Sequence, residues 1–204
     1  MKGVSNEATN TDKMRQHQLT KTRVQGDGMR HEEMDLMVCT DLIDQSQTTA
    51  LNSDSAHATI LEVLKANPED KALASDVDEQ LLMKAVFKEK VNLSAISLRF
   101  NSPPPNNEEE NEIYAKPRLI KVFTNMDDLD FCDVESAEAR AQVILEGGED
   151  ETEVKISCLG HKFQRLGSVQ ILVEEVADTD ATRTFVNRLS IMGHQAQSYH
   201  AEYK

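Results

Sequence analysis

The sequence contains no tryptophan, and aromatic residues make up only 4% of its 204 residues. We therefore expect an aliphatic core built from Val, Ile, Leu and Met. No apolar run approaches the ~18 residues of a membrane span, and the N-terminal segment lacks the apolar stretch of a secretory signal. Cys39, Cys132 and Cys158 are odd in number and form no CxxC pair. They predict a reducing compartment, the cytoplasm and possibly the nucleus, rather than a disulfide framework.

Motifs for catalysis, metal ions and phosphates are also missing. The GxSxG, HExxH, GxxxxGK and GxGxxG patterns do not occur. The pairs at 76–78 and 178–180 start like calcium loops but lack the later Gly and Glu of such loops. The carboxylates beside Cys132 disfavour its thiolate, and Cys158 alternates with apolar residues and is expected to be buried. We expect no enzymatic activity, no cofactor and no resident metal ion.

The charge of the chain is strongly negative and unevenly distributed. The net charge is −14, while residues 1–31 carry six basic and three acidic residues. An acidic body repels phosphate backbones and anionic membrane surfaces. We therefore expect neither a nucleic acid nor a membrane as partner.

The pattern divides the chain into three parts. Residues 1–35 are polar, mixed in charge and without a sustained period, which predicts a disordered arm. Residues 36–195 are expected to form the folded domain, and residues 196–204 a C-terminal tail. A short helix is predicted over 56–65, where Ile60, Leu61 and Leu64 share one face and Asn67-Pro68 follows.

About seven strands are predicted from residue 80 onward. Most are indicated by alternation of apolar and polar residues, whereas 119–124 and 185–192 are indicated by their apolar, β-branched composition. In 91–100 the apolar phase slips by one between Ala95 and Ile96, which predicts a β-bulge. Residues 81–87 also suit a helix, but the neighbouring strands favour a strand. The predicted strands cover 81–87, 91–100, 119–124, 141–145, 154–158, 169–173 and 185–192.

Turn-rich loops at 101–107, 146–150 and 177–180 separate these strands, and no internal repeat occurs. Strands joined by short turns, without alternating helices, are typical of antiparallel sandwiches. We therefore predict an all-β fold, an antiparallel β-sandwich or jelly roll, with one or two short helices.

Five blocks, in order, resemble the PITH domain, a proteasome-interacting module found at the C-terminus of thioredoxin-like proteins and in small stand-alone proteins. The D-x-D-E-Q-L-L run that starts at Asp76 is the most specific of them, followed by KVFTN at 121–125 and its Asp-rich turn. The blocks are Leu51-Asn52, 75–100, 116–131, 161–175 and 182–194.

This resemblance implies a β-sandwich similar to galactose-binding-like domains. It also implies association with the regulatory particle of the 26S proteasome. The thioredoxin domain and CxxC motif of the fused members are missing, so their oxidoreductase activity is not expected here. We expect a monomeric, non-catalytic interaction module. The alternative is a jelly roll that binds a small ligand or glycan, for which three tyrosines and no tryptophan are a poor aromatic supply.

Acidic loops are the predicted contacts with a basic partner surface, and two aromatic residues are predicted to add binding energy. Two other interpretations stay open: the carboxylates at 76–79 cap a turn, and Phe131 belongs to the core. The predicted partner-binding residues are Asp76, Asp78, Glu79, Tyr114, Asp127, Asp128, Asp130 and Phe131.

Overall fold

The computed structural model describes residues 34–65, 71–107, 109, 111–146, 148 and 151–197. The predicted arm up to residue 33, the helix-stopping Asn67-Pro68 and the end of the C-terminal tail lie outside these residues. In chain order the elements are β1 (Met34–Asp35), β2 (Thr49–Leu51), α1 (Ile60–Leu64), β3 (Leu73–Ala74), β4 (Leu81–Arg99), β5 (Tyr114–Ala115), β6 (Pro117–Thr124), β7 (Ala141–Ile144), β8 (Glu153–Ser157), a 3-10 turn (His161–Phe163), β9 (Leu166–Val176), β10 (Arg183–Val186) and β11 (Arg188–Gln195).

Strand β4 is the centre of the fold because it belongs to two groups of strands. Its first half pairs with β2 and β9, and β9 continues to β6 and β7. Its second half pairs with β11 and β8, and β11 carries β1. All these pairings are antiparallel. A second, small sheet has the strand order β3-β10-β5 and shares no strand pairing with this large one. The predicted all-β, antiparallel fold is confirmed.

The predicted bulge in β4 is present. Leu93 pairs with Gly193 and Ala95 with Met192, so Ser94 is the extra residue. Val91 and Leu93 point into the core, as do Ile96 and Leu98 in the opposite phase, which a one-residue insertion explains. A Cβ at Gly193 would lie 2.3 Å from the backbone oxygen of Asn92. The strand opposite the bulge therefore needs a residue without a side chain.

One large apolar cluster fills the space between the inner faces of the strands. It is mostly aliphatic, as predicted, but it also takes up phenylalanine. Phe100 and Phe185 are among its largest fully buried side chains. A second, smaller cluster lies on the outer face of the sheet, where residues 126–139 cover Leu82, Phe123 and Leu172. Cys158 is buried, as predicted.

The structure differs from the predicted elements at several boundaries. Residues 81–87 are a strand, continuous with 91–99. The helix is shorter than predicted because Thr59 starts it with a capping box to Glu62 and it ends at Leu64. The single strand predicted over 185–192 is two strands separated by Asn187, whose buried amide bonds to the backbone of Ser102.

The first strand starts before the predicted domain boundary at residue 36. Met34 and Asp35 pair with Gly193 and Met192 on β11. The carboxylate of Asp35 also forms a largely buried ion pair with Arg188 at 3.0 Å. These contacts join residues that lie far apart in the chain, so the local polar composition before residue 36 gave no sign of them.

Candidate protein-interaction surface

The first predicted acidic loop is a tight turn just before β4. Asp76 and Asp78 are exposed and Glu79 is half-buried. Val77, between the two aspartates, is 78% exposed. The turn therefore presents carboxylates together with one apolar side chain.

Asn52 holds this turn in place. Its Oδ1 accepts from the backbone N–H of Val77 at 2.9 Å. Its Nδ2 donates to Asp78 Oδ1 at 2.8 Å and to the carbonyl of Gln80 at 2.6 Å. Asp78 Oδ1 also accepts from the N–H of Gln80 at 3.0 Å. The carboxylate of Asp78 thus has the capping role left open above, whereas Asp76 remains available for a partner.

Sequence reasoning gave Asn52 no role in this turn. Its φ of 58° lies in the left-handed region, which asparagine tolerates better than most residues. An Asn just after a short polar segment was the available signal. Its hydrogen-bond partners, however, lie 25 to 28 positions further on, which a local pattern does not show.

The second predicted acidic loop follows β6. Ser168 Oγ donates to Asp127 Oδ1 at 2.6 Å, and Lys84 Nζ donates to the carbonyl of Asp127 at 2.8 Å. Asp130 Oδ1 accepts from the N–H groups of Cys132 and Asp133. These bonds fix the loop, while the side chains of Asp127, Asp128 and Asp130 stay exposed.

Both acidic loops flank β2: the first is bonded to Asn52 directly after it, and the second shares a groove with its residues Thr49 and Leu51. A groove of 310 Å³ lies beside the second loop, with Leu51, Leu82 and Leu129 among its lining residues. Asp127, Asp128 and Asp130 also line it. Leu51 is 42% exposed and is followed directly by Asn52, which anchors the first loop. We call this groove and the turn at 76–80 the acidic surface.

The two aromatic residues that were predicted to bind a partner lie in different environments from the exposed aspartates. Phe131 is half-buried and packs against the outer cluster. This packing helps to hold the second loop in place. Tyr114 does not join the acidic surface. It is 8% exposed in β5, and its hydroxyl lies 3.0 Å from His57 Nε2. Burial raises the pKa of Tyr114, which keeps the phenol neutral. We therefore leave Tyr114 out of the surface.

A second cavity, of 420 Å³, lies between the start of α1 and the proline loop. His57, Glu62, Lys71 and Ser102 supply its polar lining, and Pro103 to Pro105 form one wall. His57 lies 3.6 Å from Asp54 and meets the ring of Tyr114 edge-on. Among the described residues, no aromatic ring of Phe, Tyr or Trp lines this cavity, so they offer a sugar no stacking platform there.

Neither a metal centre nor a membrane helix emerges from the part of the chain that the structure describes. No group of three or more His, Cys, Asp or Glu side chains there is arranged to hold a metal ion. No helix among those residues has the length and apolar character to cross a bilayer. The acidic surface offers exposed carboxylates and the apolar side chains of Leu51 and Val77.

Comparison with known families gives the family of this chain. The PITH domain matches residues 30–203. This chain belongs to the PITH domain family. Thioredoxin-like protein 1 of Schizosaccharomyces pombe (strain 972 / ATCC 24843) is 28% identical to this PITH domain over 156 residues. That match covers 74% of the chain and 49% of the relative, so the chain spans about half the length of the relative.

Solved structures show the fold of this PITH domain. The family 32 carbohydrate-binding module of C. perfringens NanJ, solved with galactose, superposes with a TM-score of 0.50 at 8% identity, covering 74% of this chain and 98% of the module. The C-terminal domain of a chitobiase from Bacteroides fragilis gives 0.52 at 10% identity, covering 81% and 100%. The predicted galactose-binding-like β-sandwich is confirmed.

Proposed function

We propose that this PITH domain is a non-catalytic interaction module that associates with the regulatory particle of the 26S proteasome. The observation that supports this proposal most is the acidic surface, where three leucines, three exposed aspartates and the polar side chains of Thr49, Lys84 and Gln170 line one groove on a protein of the PITH family. The same proposal places the chain in the cytoplasm and nucleus, where its three free cysteines would stay reduced.

The acidic surface has the composition of a contact site for a basic partner. Asp76, Asp127 and Asp128 would steer a positively charged surface into register and raise the association rate. Leu51 and Val77 are exposed apolar side chains, and their desolvation would supply much of the affinity. The partner proposed here therefore presents basic side chains around an apolar contact.

The charge of the surface is tested by co-sedimentation of the full chain with assembled 26S proteasome. We would compare Asp76→Lys/Asp128→Lys with the matched pair Glu89→Lys/Asp180→Lys, which changes the net charge equally at exposed carboxylates elsewhere. We expect the first pair to weaken association about fivefold to tenfold, the loss of two exposed charge pairs. The control pair should stay close to the wild type, and added salt should weaken all of them.

Two outcomes would contradict this proposal. Equal weakening by both pairs would show that only net charge matters, and the surface would be rejected as the contact. No co-sedimentation of the wild type at low salt would reject association with the proteasome itself. Circular dichroism of every variant separates these results from loss of the fold.

The apolar part of the surface has its own matched test. Val77 and Leu159 are 78% and 79% exposed, respectively, and only Val77 lies on the acidic surface. We expect Val77→Ser to weaken association by about threefold to tenfold, because an exposed apolar side chain would become buried in the complex. Leu159→Ser should leave association unchanged. If Leu159→Ser weakened association and Val77→Ser did not, the contact would lie at the loop after β8 instead.

A second candidate function is the binding of a small ligand in the cavity beside α1. The 420 Å³ volume and the polar groups of His57, Glu62 and Ser102 favour it, although the part of the lining that the structure describes contains no Phe, Tyr or Trp ring. Titration with galactose, followed by amide chemical shifts, tests this candidate. Saturable shifts confined to residues around His57 and Ser102 would support it, and unchanged spectra at millimolar galactose would reject it for this sugar.

A further inference from the structure

A third cavity, of 720 Å³, lies between residues 124–126 and the 3-10 turn. Three segments form it: the end of β6, the residues before β7, and the 3-10 turn that precedes β9. Thr124, Asn125, Ser136 and Gln164 give it a polar lining. Such a lining suits a hydrophilic ligand that can take part in hydrogen bonds.

Cationic side chains converge on this cavity, although the chain as a whole carries a net charge of −14. Arg140 and Lys162 line it, beside the imidazole of His161. Lys90 lies at its edge: a Cβ at Gly167 would be 2.7 Å from Lys90 Nζ and 3.7 Å from Asn125 Oδ1. Because Gly167 has no Cβ, there is room for the Lys90 ammonium beside it.

One carboxylate of the chain already lies between two of these cations. Glu138 Oε2 lies 3.6 Å from Arg140 Nη1, and Glu138 Oε1 lies 3.7 Å from Lys162 Nζ. Both distances exceed those of charge-assisted hydrogen bonds, which are about 2.7–2.9 Å. The side chain of Glu138 is 76% exposed, so displacing it would cost little packing.

From these contacts we propose that the cavity binds an acidic peptide segment. A carboxylate of the peptide takes the position of Glu138 between Arg140 and Lys162, where it forms shorter, charge-assisted bonds with both. Lys90 attracts a neighbouring carboxylate, an N–H of His161 donates a hydrogen bond to the peptide, and Asn125 and Gln164 meet the peptide backbone. Nucleic acid is disfavoured because its dense phosphates would face the acidic body around the cavity.

The test uses the full chain and a fluorescein-labelled octaglutamate peptide, with octaglutamine as the uncharged probe. Fluorescence anisotropy at low salt should show binding of octaglutamate only. Arg140→Gln/Lys162→Gln should weaken it roughly tenfold, as expected from two partly exposed cation–carboxylate contacts. The matched pair Lys65→Gln/Lys155→Gln, which removes equal charge at exposed sites, should have an effect of less than about twofold.

A substitution with the opposite expected effect separates a binding role from damage to the fold. Glu138→Gln removes the internal competitor and should tighten octaglutamate binding about threefold. Asp180→Asn changes the net charge equally at a distant loop and should change binding by less than about 1.5-fold. Tightening by both substitutions to the same degree would show that net charge alone acts, which would overturn the assignment of the cavity.

Three further results would overturn the proposal. Equal binding of octaglutamine would exclude recognition of carboxylates. Equal weakening of octaglutamate binding by Arg140→Gln/Lys162→Gln and by Lys65→Gln/Lys155→Gln would exclude this cavity as the binding site. Competition by a duplex oligonucleotide at lower concentration than octaglutamate would replace the acidic peptide with nucleic acid as the ligand. Because none of these measurements involves the proteasome, they stand or fall separately from the function proposed above.

Discussion

Replacement of Asn52 is the sharpest test of how the acidic surface is built. The side chain of Asn52 joins the end of β2 to the turn at 76–80 through three hydrogen bonds of 2.9, 2.8 and 2.6 Å. Its backbone has a φ of 58°. Glycine removes the side chain but accepts this φ readily, whereas alanine removes the side chain and also resists the φ. The two substitutions therefore separate the hydrogen bonds from the backbone strain.

The structure gives the size of both effects. A hydrogen bond contributes about 0.5–1.5 kcal/mol net, and at this partly exposed site we take the lower half of that range. Asn52→Gly should then lower the free energy of unfolding by about 1.5–3 kcal/mol. Asn52→Ala should lose about 1 kcal/mol more because of the left-handed backbone. Asn52→Asp keeps the acceptor for Val77 but places a second carboxylate beside Asp78.

Urea denaturation of the full chain measures these losses, and amide hydrogen exchange at Val77 and Gln80 localises them. We expect both amides to lose protection in the glycine and alanine variants, because their partners are the Asn52 side chain and the turn that it holds. In Asn52→Asp the amide of Val77 should keep more of its protection. An Asn52→Gly protein within about 0.3 kcal/mol of the wild type would refute the role of the side chain. Equal stability of the glycine and alanine variants would refute the argument from φ.

Three other changes test the frame around the surface. Gly193→Ala should cost about 2–3 kcal/mol in urea denaturation, because its Cβ would lie 2.3 Å from the Asn92 oxygen. Asp35→Ala should cost about 2–4 kcal/mol by the same measurement, because it leaves the largely buried Arg188 without its carboxylate. Burial raises the pKa of Cys158 to about 12, so at pH 8 iodoacetamide should alkylate the two exposed cysteines and spare Cys158 until urea unfolds the chain, as read by mass spectrometry.

Each of these changes has a control or a contradicting result. Gly148→Ala meets nothing within 4 Å and should leave stability unchanged within about 0.5 kcal/mol. Asp35→Asn keeps acceptor capacity for the backbone and should cost less than Asp35→Ala. Alkylation of Cys158 in the folded protein at the rate of Cys39 would contradict its burial.

The strands were largely predictable because their signal is local. Residues 154–157 and 169–173 alternate in the sequence, and 119–124 are rich in apolar and β-branched residues; all three segments form strands in the structure. The bulge near Ala95 was visible as a slip of one residue in that alternation. Such patterns need no knowledge of the partner strand, since side chains in a strand point alternately to its two faces.

Other elements could not be predicted because their cause lies in distant residues. The break at Asn187 depends on its bonds to Ser102, 85 positions away. The strand at Met34–Asp35 depends on β11. Tyr114 was selected as an aromatic residue of a loop, yet it lies in β5, where contact with His57 and the small sheet buries it. Most described residues between 101 and 111 are exposed, so the local sequence did not indicate this burial.

By itself the sequence determined the all-β class, the family and the acidic character of the loops, because alternation, motif order and charge are properties of short segments. Only the tertiary structure decided that the turns at 76–80 and 127–130 both flank β2, and that Arg140 and Lys162 face one cavity. The reason is physical: sheet register and loop anchoring place these groups, and both depend on contacts between residues far apart in the chain.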